Sequence, residues 1–132
     1  FETMKVIIAG SRTFDNYEEL EKVCDRLLIN QTEIEIISGD GDGGFVNGKK
    51  VHGADQLGIQ YAESRSYKVT KFPANWDMYG KSAGPKRNLL MAVYAAGEEN
   101  GLIAFWDKKS KGTKNMIDTA KKFNIRVKIR YF

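Results

Sequence analysis

With one cysteine and one histidine among 132 residues, the chain is short of the side chains on which several kinds of chemistry depend. Cys24 has no second cysteine to bond with, which excludes an internal disulfide and fits a reducing cytoplasm. His52 has no partners at metal-ligand spacing, so neither zinc nor any other metal is expected, and one His with one Cys assembles neither a Ser-His-Asp nor a Cys-His set. No apolar run approaches the length of a bilayer span and no charged-then-apolar leader opens the chain. The expectation is a cytoplasmic protein with no membrane segment. Phe1-Glu2-Thr3 ahead of Met4 reads as a leftover of cloning, and residues 4–132 as a single domain without linker, repeat or low-complexity tract.

What is present begins with Met4-Lys5-Val6-Ile7-Ile8-Ala9-Gly10-Ser11-Arg12. Val6 to Ala9 form an apolar run with no polar alternation, as in a strand covered on both faces, and the run stops at Gly10-Ser11-Arg12. In open α/β sheets ligands sit beyond the carboxyl ends of the strands, so Arg12 is a first candidate ligand contact. Asp15 or Asn16 can cap a helix with apolar positions Leu20, Val23, Cys24, Leu27 and Leu28, and Glu33–Ser38 reads as a second strand. A helix from about Gly53 to Arg65 turns Ala54, Leu57, Tyr61 and Ala62 inward, followed by a strand over Tyr67–Phe72 and a loop over Pro73–Ser82. Pro85 opens a third helix carrying Leu89, Leu90, Val93 and Tyr94. Leu102–Trp106 is a buried strand, Thr113–Phe123 a fourth helix, and the alternating segment from Ile125 to Tyr131 a charge-protected edge strand. Regular alternation of strand and helix predicts a Rossmann-like three-layer α/β sandwich, with a five-stranded mainly parallel sheet and helices on both faces.

The glycine-rich stretch between the second strand and the second helix invites two motif readings, and neither fits. Gly39-Asp40-Gly41-Asp42-Gly43-Gly44 has dinucleotide-loop spacing, but no helix opens at its end and two aspartates would face a pyrophosphate. Gly43 to Lys50 nearly spells a phosphate-binding P-loop, yet Lys50 stands where the magnesium-holding Ser or Thr belongs. Asp40 and Asp42 alone are too few for a calcium loop. The stretch Asp40–Val51 is expected to be a flexible surface hairpin, one that is mobile or moves over a ligand.

Two helix starts carry a sharper signal. Free amides and the positive end of the dipole favour acids in a first turn, yet Gly84-Pro85-Lys86-Arg87-Asn88 and Lys108-Lys109-Ser110-Lys111-Gly112-Thr113-Lys114 bring cations there. A bound anion such as a phosphate reverses that sign, because amides, dipole and side chains all converge on it. Gly112 lets a ligand approach the backbone, while Thr113 can cap the helix and donate a hydroxyl. Trp76 and Tyr79 lie in the loop before Gly84, where they can stack on a base or pack a subunit contact; a homo-oligomer stays open. The basic residues from Lys108 to Arg130 against the single acid Asp118 keep nucleic acid as a secondary candidate partner.

Four pieces, in order, resemble the SLOG superfamily, most closely its small single-domain YspA-like group. They are Ile8-Ala9-Gly10-Ser11-Arg12, Ser38-Gly39 resuming at His52-Gly53-Ala54-Asp55, Gly84-Pro85-Lys86-Arg87-Asn88, and Ala104-Phe105-Trp106-Asp107 with Lys111-Gly112-Thr113. The resemblance implies a Rossmann-like fold that binds nucleotides or nucleotide-derived ligands. Relatives in bacteria and phages include sensors of nucleotide signals, DNA-processing protein A and the Lonely Guy phosphoribohydrolases. It also implies a ligand site of Gly10, Ser11, Arg12, Gly53, Ala54, Asp55, Arg87, Asn88, Lys111, Gly112 and Thr113, with Asp55 capping its helix or meeting a ligand hydroxyl. Relatives run from the second strand through a compact turn into Gly-Ala-Asp, whereas Asp40 to Val51 intervene here.

Three function classes follow: a module that binds a nucleotide without turning it over, an N-glycosidic hydrolase, and a DNA-binding domain. The resembled hydrolases carry a glutamate in a Gly-Thr-x-x-Glu pattern, and the corresponding residue here is Met116. A thioether neither stabilises an oxocarbenium centre nor moves a proton, and Asp118 faces another side of the helix. Binding without a catalytic residue, metal or cofactor is therefore the favoured expectation.

Overall fold

The computed structural model of the protein describes residues 3–97 and 99–132; Phe1 and Glu2, part of the expected cloning leftover, lie outside it. Its central strand is β1 (Met4–Gly10), whose middle residues Val6, Ile7 and Ile8 are almost completely buried. Neighbouring strands are β2 (Ile34–Ser38) on one side and β6 (Asn100–Trp106) on the other, with β5 (Lys68–Lys71) and β7 (Val127–Tyr131) at the edges. All pairings in this five-stranded sheet are parallel. The chain builds outward from β1 through β2 to β5, then returns to the other side for β6 and β7. That reversal puts a topological switch point between β1 and β6, where Gly10 pairs with Phe105.

Alternate β1 residues feed two separate cores. Val6 and Ile8 pack with Leu20, Val23 and Cys24 of α1 (Tyr17–Leu28) and with Ala54, Leu57 and Tyr61 of α2 (Gly53–Ser64). Ile7 and Ala9 pack with Met91, Ala92 and Ala95 of α4 (Ala83–Ala95) and with Met116, Ile117 and Ala120 of α5 (Lys111–Lys122). The three-layer sandwich is as expected. Asn16 supplies the α1 cap, its side chain accepting from the Glu19 amide at 3.1 Å. Cys24 is fully buried, which pushes its thiol pKa up to about 12 and makes it inert.

Three details of the helices depart from the sequence reading. Leu27 is 38% exposed, one step beyond the buried stripe of α1. The segment Pro73–Ser82 contains the one-turn helix α3 (Trp76–Tyr79), capped by the Asn75 side chain, and a 3-10 turn over Gly80–Ser82. The third departure is in α4, which starts at Ala83, so Pro85 lies inside its first turn, where a missing N–H costs nothing. Its inward face is Ala83, Gly84, Asn88, Met91, Ala92 and Ala95, while Leu89, Leu90 and Val93 face outward at 47–58% exposure. Hydrogen bonds from Arg87 to β2's end and from Asn88 to α5 fix the rotation of this helix, overriding its bulkier apolar stripe.

Candidate functional site

A cavity of about 650 Å³ opens at the carboxyl ends of β1 and β2, at the switch point. Its first wall is the end of β1. A Cβ on Gly10 would lie 2.3 Å from the Phe105 carbonyl oxygen and 2.7 Å from the Ala54 Cβ, so this glycine is required for α2 to seat against the sheet. Ser11 is buried behind the wall: its amide donates to Phe105, its carbonyl accepts from Ala54, and its Oγ accepts from the Asp107 amide at 3.2 Å. Arg12 is exposed and borders the cavity; its Nε donates to the Asp42 carbonyl at 2.8 Å, and its own carbonyl accepts from the Gly44 amide.

The second wall is the base of the inserted segment, whose sequence suggested a free flap. Gly39, Asp40, Gly41 and Asp42 line the cavity and are tied down at several points. The Gly41 amide donates to Asp55 Oδ2 at 3.0 Å, and Gln56 Nε2 donates to both Asp40 Oδ1 and the Gly41 carbonyl. Only the tip is a free hairpin, β3 (Phe45–Val46) paired antiparallel with β4 (Lys49–Lys50). Asn47 and Gly48 turn it with φ of 51° and 79°, the conformation for which Asn-Gly is selected in two-residue turns. The hairpin legs close again where Val51 donates to Gly44, and the His52 amide and ring both reach Asp15. Gly53, at φ 82°, packs 3.1 Å (ideal Cβ) from the Gly43 Cα; Gly53 and Ala54 sit behind the wall and do not border the cavity.

The third wall comes from α4 and α5. Arg87 Nη1 donates to the Gly39 carbonyl at 2.6 Å and its Nε to Asn88 Oδ1, while Asn88 Nδ2 donates to the Gly112 carbonyl and Asn115 Oδ1. Arg87, Asn88, Lys111, Gly112 and Thr113 all border the cavity, as do Arg12 and the Asp40–Asp42 segment, which Arg87 meets at Gly39. The start of α5 is held by a relay. Asp107 Oδ1 accepts from the amides of Lys109 and Ser110 at 2.8 Å each, and Ser110 Oγ caps Thr113 while meeting its hydroxyl at 3.0 Å. Burial works against the Asp107 carboxylate, yet those two amides and the Ser11 hydroxyl outweigh it and hold its pKa below the usual carboxylate value. Ser11 and Asp107 thus aim the α5 start; neither borders the cavity.

The two cationic helix starts differ. At α4, Lys86 lies 4.9 Å over the Tyr79 ring, and the Ala83 amide already bonds the Gly80 carbonyl, so this helix start is partly satisfied from within. Tyr79 does not border the cavity, whereas Trp76 does, with its ring against Gly84 and 57% exposure. At α5 the amides of Lys111 and Gly112 precede the first intrahelical bond. Nothing lies within 4 Å of a Cβ built on Gly112, and its backbone is in an ordinary conformation. Protein packing therefore gives no reason for glycine at this position.

Asp55 faces Arg87 across the floor. A Cβ on Gly39 would fall 2.4 Å from Arg87 Nη1 and 3.0 Å from Asp55 Oδ2, so glycine lets the two groups approach. Burial raises the Asp55 pKa, with the Gly41 amide and Arg87 only partly offsetting it, and burial also lowers that of Arg87.

Residues 4–79 match the model of the YspA, cpYpsA-related SLOG family. The chain belongs to that family. No curated protein matches the chain, nor does any solved structure. SLOG membership suggests nucleotide-related ligand binding in general terms. The match spans β1 through α3 and so takes in Arg12, the inserted wall, Asp55 and Trp76; the α4 and α5 wall lies outside it. In this SLOG protein Met116 is buried beneath the α5 start and borders the cavity, while Asp118 points to solvent and pairs with Lys114 at 2.8 Å. Among the described residues no group of three or more His, Cys, Asp or Glu is placed to hold a metal, and no helix is long and apolar enough to cross a membrane. Gly39, Asp40, Gly41, Asp42 and Lys81 border the cavity without having been singled out as ligand contacts. The signal for the first four was Gly41's adjacency to the half-buried Asp55, which only the fold reveals.

Proposed function

We propose that this cavity binds a nucleotide or nucleotide-derived small molecule and that the protein works as a sensor or sequestering module. The observation that carries this is the open α5 start, where Gly112 leaves space above two free amides. A phosphate there accepts from the Lys111 and Gly112 amides and meets the positive end of the α5 dipole, with the Lys111 and Arg12 side chains at the cavity border. Trp76, which borders the cavity beside Gly84, offers a ring face for a base. Asp55, Arg87, Asn88 and Thr113 complete the proposed lining, while Gly10, Ser11, Gly53 and Ala54 contribute by shaping it from behind.

Binding without turnover is favoured over N-glycosidic hydrolysis because Met116 occupies the position of the resembled hydrolases' glutamate. Nucleic acid is disfavoured because the basic tail is partly engaged: Lys114 pairs with Asp118, Arg130 with Glu19, and Lys108 lies 4.8 Å over the Tyr131 ring. Native mass spectrometry of gently purified protein tests the proposal, with a co-purifying nucleotide mass expected. Calorimetric titration with nucleoside 5′-phosphates is the second arm; heat indistinguishable from buffer across mono-, di- and triphosphates would refute the reading.

A further inference from the structure

The nucleotide reading leaves unexplained why a carboxylate is kept at the bottom of a cavity meant for an anion. Asp55 sits at the start of α2 and borders the cavity, and one of its oxygens, Oδ2, is anchored by the Gly41 amide at 3.0 Å. Among the described residues Oδ1 has no hydrogen-bond partner, and it is not sealed off from solvent. Arg87 makes no direct ion pair with it: its Nη1 donates to the Gly39 carbonyl at 2.6 Å and its Nε to Asn88 Oδ1. Gln56, which might have supplied a donor, is turned to Asp40 and the Gly41 carbonyl. A carboxylate held by one oxygen at the cavity lining has its other oxygen open to water, and an occupant that displaces that water must bring a donor of its own.

That donor cannot belong to a phosphate, which has only acceptors when fully ionised, and charge keeps the phosphate at the α5 side. A hydroxyl is the matching chemistry. Resting on the nucleotide reading above, we infer that Asp55 selects ligands carrying a ribose diol, its free oxygen accepting from a sugar hydroxyl while the phosphate sits on the α5 start. The Gly41 bond gives the inserted segment a role in this selection: it fixes the carboxylate so that one oxygen alone is presented. Ribose is thereby distinguished from 2-deoxyribose, because a ligand lacking the hydroxyl displaces water from that oxygen without returning a hydrogen bond.

The test compares adenosine, guanosine, cytidine and uridine 5′-monophosphates with their 2′-deoxy and 3′-deoxy counterparts, and with ribose 5-phosphate and inorganic phosphate, by calorimetric or dialysis titration of the intact chain. Wild-type protein is expected to prefer the ribose form of whichever base binds best by about tenfold to a hundredfold over at least one deoxy form. In Asp55→Asn, which keeps the shape and an acceptor for Gly41, that ratio should fall to within about threefold of unity. Equal binding of ribo and both deoxy forms by the wild type overturns the inference while leaving the nucleotide reading intact, and it needs no variant to fold. A preference that survives in Asp55→Asn also overturns it, placing the selection elsewhere. If none of these probes binds, the same comparison is made with the di- and triphosphates, and silence across all of them brings down the nucleotide reading and the diol with it.

Discussion

Gly112→Asp should raise the stability of the fold and weaken anion binding strongly, two effects of opposite sign from one side chain. A Cβ at this position meets nothing within 4 Å, and the backbone is not in a glycine-only region, so the substitution creates no clash or strain. Removing glycine's freedom from a helix is worth about 0.5–1 kcal/mol, less in a first turn, and a carboxylate near a helix N-terminus adds about 0.3–1 kcal/mol. Together they should lift the thermal midpoint by roughly 3 °C for a chain of this size. A phosphate on the same turn would stand about 5 Å from the new carboxylate, and at an effective dielectric of about 20 the repulsion is about 3 kcal/mol, or somewhat over a hundredfold in affinity. Gly112→Asn, uncharged and of the same shape, separates charge from bulk and should lose far less. Scanning calorimetry and titration with the best-bound nucleoside phosphate read the two quantities independently. Unchanged affinity in Gly112→Asp refutes an anion at this helix start; a lowered midpoint shows that Gly112 is there for the backbone after all.

Arg87→Ala should weaken nucleoside phosphate binding about tenfold to a hundredfold, but it also strips the Gly39 carbonyl of its partner, so a fall in chemical-denaturation midpoint should accompany it. Thr113→Val should cost less affinity, since the neighbouring amides remain; it should also loosen the α5 cap, measurable as faster amide exchange in that turn. Incubated with nucleoside monophosphates, the wild type should release no free base by chromatography, and robust release would make the protein an enzyme. Asp55 has its pKa raised by burial, so its ionised form opposes folding above the usual carboxylate pKa of 3.8, and Asp55→Asn should raise the midpoint at pH 7. Glu35 behaves in the opposite sense: burial raises its pKa, but hydrogen bonds from Thr70 and Tyr94 more than offset this, and the net direction is down from 4.5. Its contribution is present above the unfolded value and lost as pH falls through the lowered folded one, so Glu35→Gln should flatten the acid limb of a stability profile between pH 5 and 3.

The sandwich was legible because β1's unbroken apolar run, the α1 stripe and the alternating β7 each match one structural period closely. The orientation of α4 was not, because its inward face is made of small residues and Asn88, and what selects that face is a set of bonds to distant segments. Bulk favoured Leu89, Leu90 and Val93, but side chains as small as Ala92 and Ala95 let the helix lie close to the sheet. The convergence of Arg12, Arg87, Gly112 and Thr113 on one cavity followed from strand ends and helix starts sharing an edge. The part of Asp40–Asp42 in that cavity did not, because glycine and aspartate look the same in a free loop as in a wall pinned by Gln56 and Asp55. Ser11 looked like a contact and is a strut, since its hydroxyl was spent on an amide 96 positions away.

The switch point divides the cavity between the two halves of the chain. The walls from Arg12, Asp40–Asp42 and Asp55 come from before residue 80, and those from Arg87 and the α5 start come after it. Among the described residues the side-chain bond that joins two cavity-lining residues of these halves runs from Arg87 to the Gly39 carbonyl, while Ser11 with Asp107 and Glu35 with Tyr94 tie the halves away from it. An occupant that touches both walls therefore acts as a mechanical tie, adding to the core packing that already holds the α4–α5 layer on the sheet. Occupancy should show itself first as slowed exchange of α4 and α5 amides, before any change in shape, and a protein that signals by letting that layer loosen or tighten needs no hinge to do it.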